Sequence, residues 1–154
     1  MKNILLLAFL LFSITLTAQR NKLKNITEKN GKIGIGTKTP DELLTVKGKI
    51  HTQEVLVDLN GAIAPDYVFE NYYKGASKLN TSYHFPSLSE IELFIENNHH
   101  LPGVPSAEEF EENGLSLKKM NLLLLEKLEE LTLYTIQQQK EIELLKESLK
   151  DLDR

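Results

Sequence analysis

Four histidines carry the side chains best suited to hold a metal ion: the neighbours His99 and His100, and the distant His51 and His84. Adjacent side chains in an extended segment point to opposite sides of the chain, so His99 and His100 do not face one ion. Neither an H-x-H nor an E-x-x-H spacing accompanies them. We therefore predict no metal site.

The segment from Gly31 to Thr37, with further glycines at positions 34 and 36, suggests either a phosphate-binding loop or a tight β-turn. A nucleotide-binding loop ends in Gly-Lys-Ser/Thr and leads into a helix whose N-terminus contacts the phosphate. This segment has neither feature. The glycines favour a β-turn, and we predict no cofactor.

Acidic residues cluster at positions 108, 109, 111 and 112. Carboxylates bind Ca²⁺ from an Asx-rich loop and catalyse glycoside hydrolysis as a spaced pair, whereas these lie on one short predicted helix and favour a solvated face. No G-x-S-x-G context surrounds a serine, and the chain has no cysteine to act as a nucleophile or to form a disulfide. We therefore predict that the protein is not an enzyme and assign no catalytic residue.

An aromatic-rich stretch extends from Tyr67 to Phe85. Its rings can stack on sugars, or they can form the core of a small domain. The segment 66–69 alternates like a β-strand, which favours the core. The alternative hypothesis is a surface adhesin or glycan-binding module that uses Tyr67, Tyr72, Tyr73 and Tyr83.

The composition is that of a folded protein with one modest domain: 154 residues, 41% hydrophobic and 26% charged, with a formal net charge of -4. A weakly acidic chain without a basic block lacks the electrostatic surface that binds nucleic acid. We predict no nucleic-acid partner.

The N-terminus has the pattern of a secretory signal peptide: Lys2, an apolar run from Ile4 to Leu16, and the small residue Ala18. The run is shorter than the ~20 residues that a membrane-spanning helix needs. We predict cleavage near Ala18 and a secreted, periplasmic or cell-surface protein with no membrane span after cleavage.

The rest of the chain divides by composition. Alternating residues at Ile33 and Ile35, and at Leu44 and Val46, indicate short strands, and a further strand or bulge is predicted near residues 55–57. The predicted organisation is a signal peptide (1–18), a polar linker (19–30), a β-rich shaft-like segment (31–58), a small α/β region (59–114) and a coiled coil (115–154).

Two short helices in the small α/β region are predicted from their caps. Ser87 with Glu90, and Ser106 with Glu109, form S-x-x-E capping boxes ahead of apolar residues. The proline-containing segment 99–105 between them predicts a non-helical connector, and Asn113-Gly114 predicts the end of the second helix.

A heptad repeat occupies the C-terminal segment. With Asn121 at position a, seven of the ten a and d positions through residue 152 are Leu or Ile. A 3.5-residue repeat winds helices around each other with left-handed supercoiling, here over about 48 Å. The predicted oligomerisation residues are Leu124, Leu128, Leu131, Thr135, Gln138, Ile142, Leu145, Leu149 and Leu152.

An amphipathic helix folded back on its own domain is the alternative to this intermolecular coiled coil. Leu122, Leu123 and Leu125 widen the apolar surface in the first turns, where the small domain can dock. Thr135 and Gln138 fix register and strand number at a cost in stability. The seam is compatible with two helices or three.

A family resemblance begins in the β-rich segment, which reads G-I-G-T-x-x-P-x-x-x-L-x-V-x-G-x-I from Gly34 to Ile50. This resembles the shaft repeat of phage-type tail fibres and related trimeric surface proteins of Bacteroidetes.

The segments 100–107, 120–124 and 129–134 extend the likeness over roughly Gly31 to Leu145. They resemble the short C-terminal domain of secreted Bacteroidetes tail-fibre-like proteins, which is similar in plan to the intramolecular chaperone of phage tail spikes and endosialidases. Those chaperones cleave themselves at a Ser in an S-D-x-R-x-K-like opening. The corresponding segment Val46–His51 has neither that Ser nor the Asp, so no catalytic residue is carried over.

The sequence and the resemblance together predict an α+β fold that ends in a long coiled-coil helix. The leading hypothesis is an exported, non-catalytic, fibre-like structural or assembly protein that forms a homotrimer through that helix. A surface glycan or another envelope protein is the alternative partner. A self-cleaving intramolecular chaperone is the third hypothesis.

Overall fold

The computed structural model describes residues 23–152, and the predicted signal peptide lies outside them. The described residues form three strands, β1 (Ile26–Lys29), β2 (Lys32–Ile35) and β3 (Leu44–Val46), and four helices, α1 (Tyr67–Lys74), α2 (Leu88–Asn98), α3 (Ala107–Asn113) and α4 (Leu117–Leu152). The predicted α+β class is confirmed. The chain divides into two compact units, the first ending at Val55 and the second beginning at Leu56.

The first unit is a mixed three-stranded sheet in the order β1-β2-β3. β1 and β2 are antiparallel, and Asn30 and Gly31 between them have φ angles of 53° and 76°. An Asn-Gly pair with positive φ at both residues is the preferred two-residue hairpin connection. β3 pairs with β2 in parallel, which places Leu44 opposite Ile33. The sequence predicts a polar linker through residue 30, whereas residues 26–29 form β1, because the neighbouring strand supplies hydrogen-bond partners that composition alone does not reveal.

Two glycines permit the tight path of the chain after β2. A Cβ atom at the buried Gly34 would lie 2.6 Å from the carbonyl oxygen of Thr37. Gly36 has a φ of 74°, and a Cβ atom there would lie 2.9 Å from the carbonyl oxygen of Lys47. Both positions therefore require glycine, because any Cβ atom would clash with a backbone carbonyl oxygen. The predicted tight turn is present only at the start of the segment, at Asn30 and Gly31, whereas residues 32–35 form strand β2.

The predicted strand or bulge near Val55 and Val57 is wrong, since residues 51–60 form neither helix nor strand. Both side chains are exposed. A strand needs a neighbouring backbone to pair with, and alternation over three residues does not ensure one.

The prediction of a strand at residues 66–69 is also wrong, because Tyr67 begins helix α1. Val68 is fully buried and Tyr72, four positions later, is half-buried, which is the spacing of a helical face. The helix ends at Gly75, whose φ of 78° is left-handed and whose N–H donates to the carbonyl of Asn71. A glycine in the left-handed conformation is a common C-terminal cap of α-helices.

Both predicted capping boxes are confirmed. At α2, the backbone N–H of Glu90 donates to Oγ of Ser87 at 3.2 Å, and the N–H of Ser87 donates back to Oε2 of Glu90 at 2.7 Å. Ser106 and Glu109 make the same reciprocal pair at α3, with distances of 3.2 and 2.8 Å. Residues 99–106 are non-helical between them, as predicted, and α3 ends at Gly114.

Helix α4 runs for 36 residues without interruption, which confirms the predicted long C-terminal helix. At its start the N–H of Lys119 donates to Oγ of Ser116 at 3.5 Å, so Ser116 caps the first turn. Between residues 23 and 152, no helix combines the length and the apolar character that crossing a membrane requires.

Candidate oligomerisation surface

One face of α4 completes the core of its own unit. Leu133 is fully buried and packs with Val68 and Tyr67 of α1. Tyr134 beside it is also buried, and Tyr72, Tyr83 and Phe85 surround this cluster. The core of the second unit is therefore small and aromatic, and α4 forms one wall of it.

The aromatic side chains pack in tilted and edge-to-face pairs. Ring centroids are 4.9 Å apart for Tyr67 and Tyr83, and 4.8 Å apart for Phe85 and Tyr134. The hydroxyl of Tyr134 donates to the carbonyl of Pro86, and burial raises the pKa of that phenol to about 12. Among the four tyrosines of the glycan hypothesis, only Tyr73 is largely exposed, at 65%. This geometry favours the core role over a sugar-stacking platform.

A partly buried charge network joins α4 to those rings. Nζ of Lys127 lies 2.8 Å from Oε1 of Glu126 and 3.0 Å from Oε1 of Glu130. The hydroxyl of Tyr67 donates to Glu126, and that of Tyr83 donates to Glu130 at 2.9 Å. Burial on its own would lower the pKa of Lys127, but the hydrogen bonds to the two carboxylates outweigh it and the pKa is raised. The charges are therefore paired, as buried charges must be.

Glu129 is the exception in this network. It is 7% exposed, and its Oε2 has no hydrogen-bond partner among the described residues. Burial raises the pKa of this carboxyl, and the nearby charges of Asp66 and Glu126 raise it further. Neither the heptad repeat nor the capping signals distinguish this glutamate from the solvated ones, so sequence reasoning missed it.

The opposite face of α4 carries the predicted oligomerisation residues, and all of them are exposed. The exposure of the apolar members ranges from 45% at Ile142 to 81% at Leu152. They form one strip along the helix because positions a and d share a face. The strip comprises Leu124, Leu128, Leu131, Thr135, Gln138, Ile142, Leu145, Leu149 and Leu152.

Both sequence hypotheses for this helix describe part of it. Leu122 and Leu123 are half-buried on the side that folds back onto the second unit, as the fold-back alternative expects. Leu125, the third off-seam leucine, is instead 42% exposed. The polar seam residue Thr135 donates its hydroxyl to the carbonyl of Leu131 at 2.8 Å, so its hydrogen-bonding need is met within the helix.

A second uncovered apolar face lies on the sheet of the first unit. In the strand register Ile26 is opposite Ile35, and Ile33 is opposite Leu44, which puts all four on one face. Each of them is exposed, between 38% and 58%. The sequence predicted the strands of Ile33, Ile35 and Leu44 but not the contribution of Ile26, because four residues are too few to show a period.

The histidines do not converge. His99 ends α2 with a φ of 61°, and the ring of His100 packs edge-on against Phe94 at 5.4 Å. Within residues 23–152, no three His, Cys, Asp or Glu side chains are grouped as metal ligands would be.

The chain matches no family model, no curated protein and no solved structure. The two uncovered apolar faces are therefore the observations from which its function is inferred.

Proposed function

We propose that this protein is an exported, non-catalytic, fibre-like structural or assembly protein that forms a parallel homotrimer through α4. The observation that carries the proposal is the division of α4 into two faces. One face packs against its own unit through Leu133, and the other presents an uncovered heptad strip from Leu124 to Leu152.

An uncovered strip of this length favours association. Complete burial of one Leu or Ile side chain contributes about 1.5–3 kcal/mol, and seven of the ten seam positions carry one. Packing three such strips together removes them from water, whereas exposed leucines that occur singly need no explanation. The regular heptad spacing identifies another helix with the same repeat as the best-fitting partner, and a second copy of the chain provides one.

The charges beside the strip favour a parallel arrangement. Glu141 is at position g and Lys146 is at position e of the following heptad. In a parallel bundle a g residue faces the e residue of the next heptad on the neighbouring helix, so these opposite charges pair between chains. An exposed pair of this kind contributes only about 0.2–1 kcal/mol, so it acts on orientation more than on affinity.

The sheet supports self-association independently of the helix. Its apolar face, with Ile26, Ile33, Ile35 and Leu44, offers a surface that can pack against the same face of other copies. Three strands of three or four residues bury little by themselves, which is the situation in which oligomerisation supplies the missing core. Three rather than two copies is the number implied by the resemblance to trimeric fibre proteins.

Export rests on the N-terminal pattern of Lys2, the apolar run and Ala18. The absence of cysteine means that stability outside the cell cannot come from disulfides, which makes burial between chains more important.

Sedimentation equilibrium of the secreted chain tests the proposal. We expect a trimer, and we expect Leu145→Asp to dissociate it, because a charge would then lie in the buried seam. Leu144→Asp is a matched control, since both leucines are 63% exposed and adjacent, but Leu144 is at position c outside the seam. A monomeric wild-type protein, or equal effects of the two substitutions, would contradict the proposal.

Charge exchange tests the orientation. Lys146→Glu alone should weaken the trimer by placing it opposite Glu141, and the double variant Glu141→Lys, Lys146→Glu should restore it. An unchanged association in the single variant would argue against the parallel arrangement.

A further inference from the structure

An apolar groove of about 380 Å³ lies beside the first half of the heptad strip. Leu88 and Ile91 of α2 and the connector residues Leu101 and Pro102 line one side of it. The seam residues Leu124, Leu128 and Leu131 line the other. The groove and the strip are therefore one continuous surface, although the groove walls come from a part of the chain that has no heptad repeat.

The exposure of the walls shows that the described chain does not fill this groove. Leu88 is 50% exposed and Leu101 is 42% exposed. The charged groups that line it, Lys127 and Glu130, are bonded to each other at 3.0 Å, so they do not call for an ionic ligand. The surface left over is apolar, and its occupant must be apolar as well.

The position of the groove relative to the strip identifies what lies over it in a parallel bundle. Lys127 and Tyr134, which are both at position g, line the groove, so it lies on the g side of the seam. In a parallel bundle the g side of one helix faces the e side of its neighbour. By the pairing used above, Thr132 of the neighbour faces Lys127, and the neighbour's Leu125, the e residue that follows Leu124, lies at the level of the Leu124 end of the groove.

We propose that the groove receives the α4 helix of a neighbouring copy, with the neighbour's Leu125 as the side chain that enters it at its Leu124 end. This deepens the proposed self-association and rests on it. Leu125 is off the seam, yet it is apolar and 42% exposed in the single chain, and a place in the groove accounts for both properties. Each copy then binds the neighbouring helix between its own α2 and α4. The interface therefore includes residues of α2 and the connector as well as the heptad positions.

Substitutions on α2 separate this groove from the seam. Leu88→Asp puts a charge on the groove wall, and Asp in the first turn of a helix is compatible with the helix dipole, so α2 should still form. Leu93→Asp, also on α2 and 61% exposed but outside the groove, is the control. We expect Leu88→Asp to raise the dissociation constant at least about tenfold and Leu93→Asp to change it less than about twofold, by sedimentation equilibrium.

Disulfide trapping tests the contact itself. Because the chain has no cysteine, one tagged population can carry Leu101→Cys and a second population of different mass can carry Leu125→Cys. Mixed assemblies of the two should form a disulfide between populations on mild oxidation. Lys140→Cys, at the outward f position, replaces Leu125→Cys in the control mixture and should give no such product.

The outcomes distinguish this inference from the function it rests on. A trimer that tolerates Leu88→Asp and yields no Leu101–Leu125 product would overturn the groove inference and leave the coiled coil intact. A Leu88→Asp variant with a less stable monomer but unchanged association would mean that the chain's own residues fill the groove, which also overturns it. A wild-type monomer would overturn both.

Discussion

The hydroxyl of Tyr83 donates a 2.9 Å hydrogen bond to Oε1 of Glu130, which lies 47 positions later in the chain. The same carboxylate accepts from Nζ of Lys127, so one glutamate joins an aromatic loop to a charged turn of α4. The contact is one of several that hold α4 with a fixed side toward its own unit. Which side of the helix remains exposed is therefore set by contacts within the chain.

Tyr83→Phe should lower the free energy of unfolding by roughly 1.5–3 kcal/mol, the usual range for a hydrogen bond to a charged group. The ring remains to fill the core, so the loss reports the hydroxyl alone. Denaturant unfolding at fixed protein concentration measures it. Tyr73→Phe, on a residue that is 65% exposed, should change stability by less than about 0.5 kcal/mol. Similar losses of unfolding free energy in both variants would show that the hydrogen bond to Glu130 does not stabilise the fold.

Leu133→Ala and Leu131→Ala should act on different equilibria although they are two positions apart. Leu133 is fully buried, so its truncation leaves a cavity and should cost about 2–5 kcal/mol of unfolding free energy. Leu131 is 60% exposed, so its truncation should weaken association instead and leave the fold of the dissociated chain nearly unchanged. Circular dichroism at low concentration, compared with sedimentation, separates the two effects. The assignment of the two faces fails if Leu131→Ala unfolds the dissociated chain as strongly as Leu133→Ala.

Glu129→Gln should stabilise the protein at neutral pH and have little effect in acid. The pKa of Glu129 is raised in the folded chain, so the folded state holds its proton over a range in which the unfolded state has lost it. The stability associated with the protonated carboxyl is complete below the unfolded pKa and is lost as the pH rises through the folded pKa. The glutamine side chain does not ionise, so the variant keeps this stability as the pH rises.

Denaturation midpoints of Glu129→Gln and wild type, measured from acid to neutral pH, should therefore diverge as the pH increases. Glu147→Gln, on an exposed residue of the same helix, serves as the control and should follow the wild-type curve. Curves for Glu129→Gln and wild type that stay parallel throughout would show that burial does not disfavour the ionised carboxyl.

Gly34→Ala should destabilise the sheet, whereas Gly48→Ala should be tolerated. A Cβ atom at Gly34 meets the carbonyl oxygen of Thr37 at 2.6 Å, which the backbone must move to relieve, while nothing lies within 4 Å of one at Gly48. We expect a loss on the order of 1–3 kcal/mol at Gly34, the range for overpacking. Amide hydrogen exchange of β2 is the direct measurement. Equal protection of β2 in the two variants would mean that the backbone around Thr37 can shift without cost.

The elements with strong local signals could be predicted from the sequence. The capping boxes at Ser87 and Ser106 and the long heptad repeat are examples. Each depends on residues that are close together in the sequence, so the sequence alone identifies the interacting residues. The short segments could not be predicted in this way. Residues 26–29 become a strand because Lys32–Ile35 pairs with them, and Tyr67–Phe69 become helix because Val68 and Tyr72 bury against α4.

The sequence predicted the heptad strip of the candidate surface but not the groove beside it. Heptad spacing identified Leu124 to Leu152, because position along one helix determines which residues share its face. The groove walls Leu88 and Leu101 could not be identified, since their place beside α4 depends on how separate segments pack. Glu126 and Glu130 were likewise indistinguishable from solvated glutamates until Tyr67 and Tyr83 were placed against them.

The core that α4 completes has a consequence for the timing of folding. Tyr67 reaches Glu126, 59 positions away, and Leu133 and Tyr134 supply the far wall. A chain leaving the ribosome N-terminus first cannot close this core until that part of α4 has emerged. Leu124, Leu128 and Leu131 emerge just before it, so the exposed apolar strip is already present when the unit first becomes able to fold. If the chain self-associates as proposed, a factor that delays association until the unit has folded would have to act while this strip is exposed.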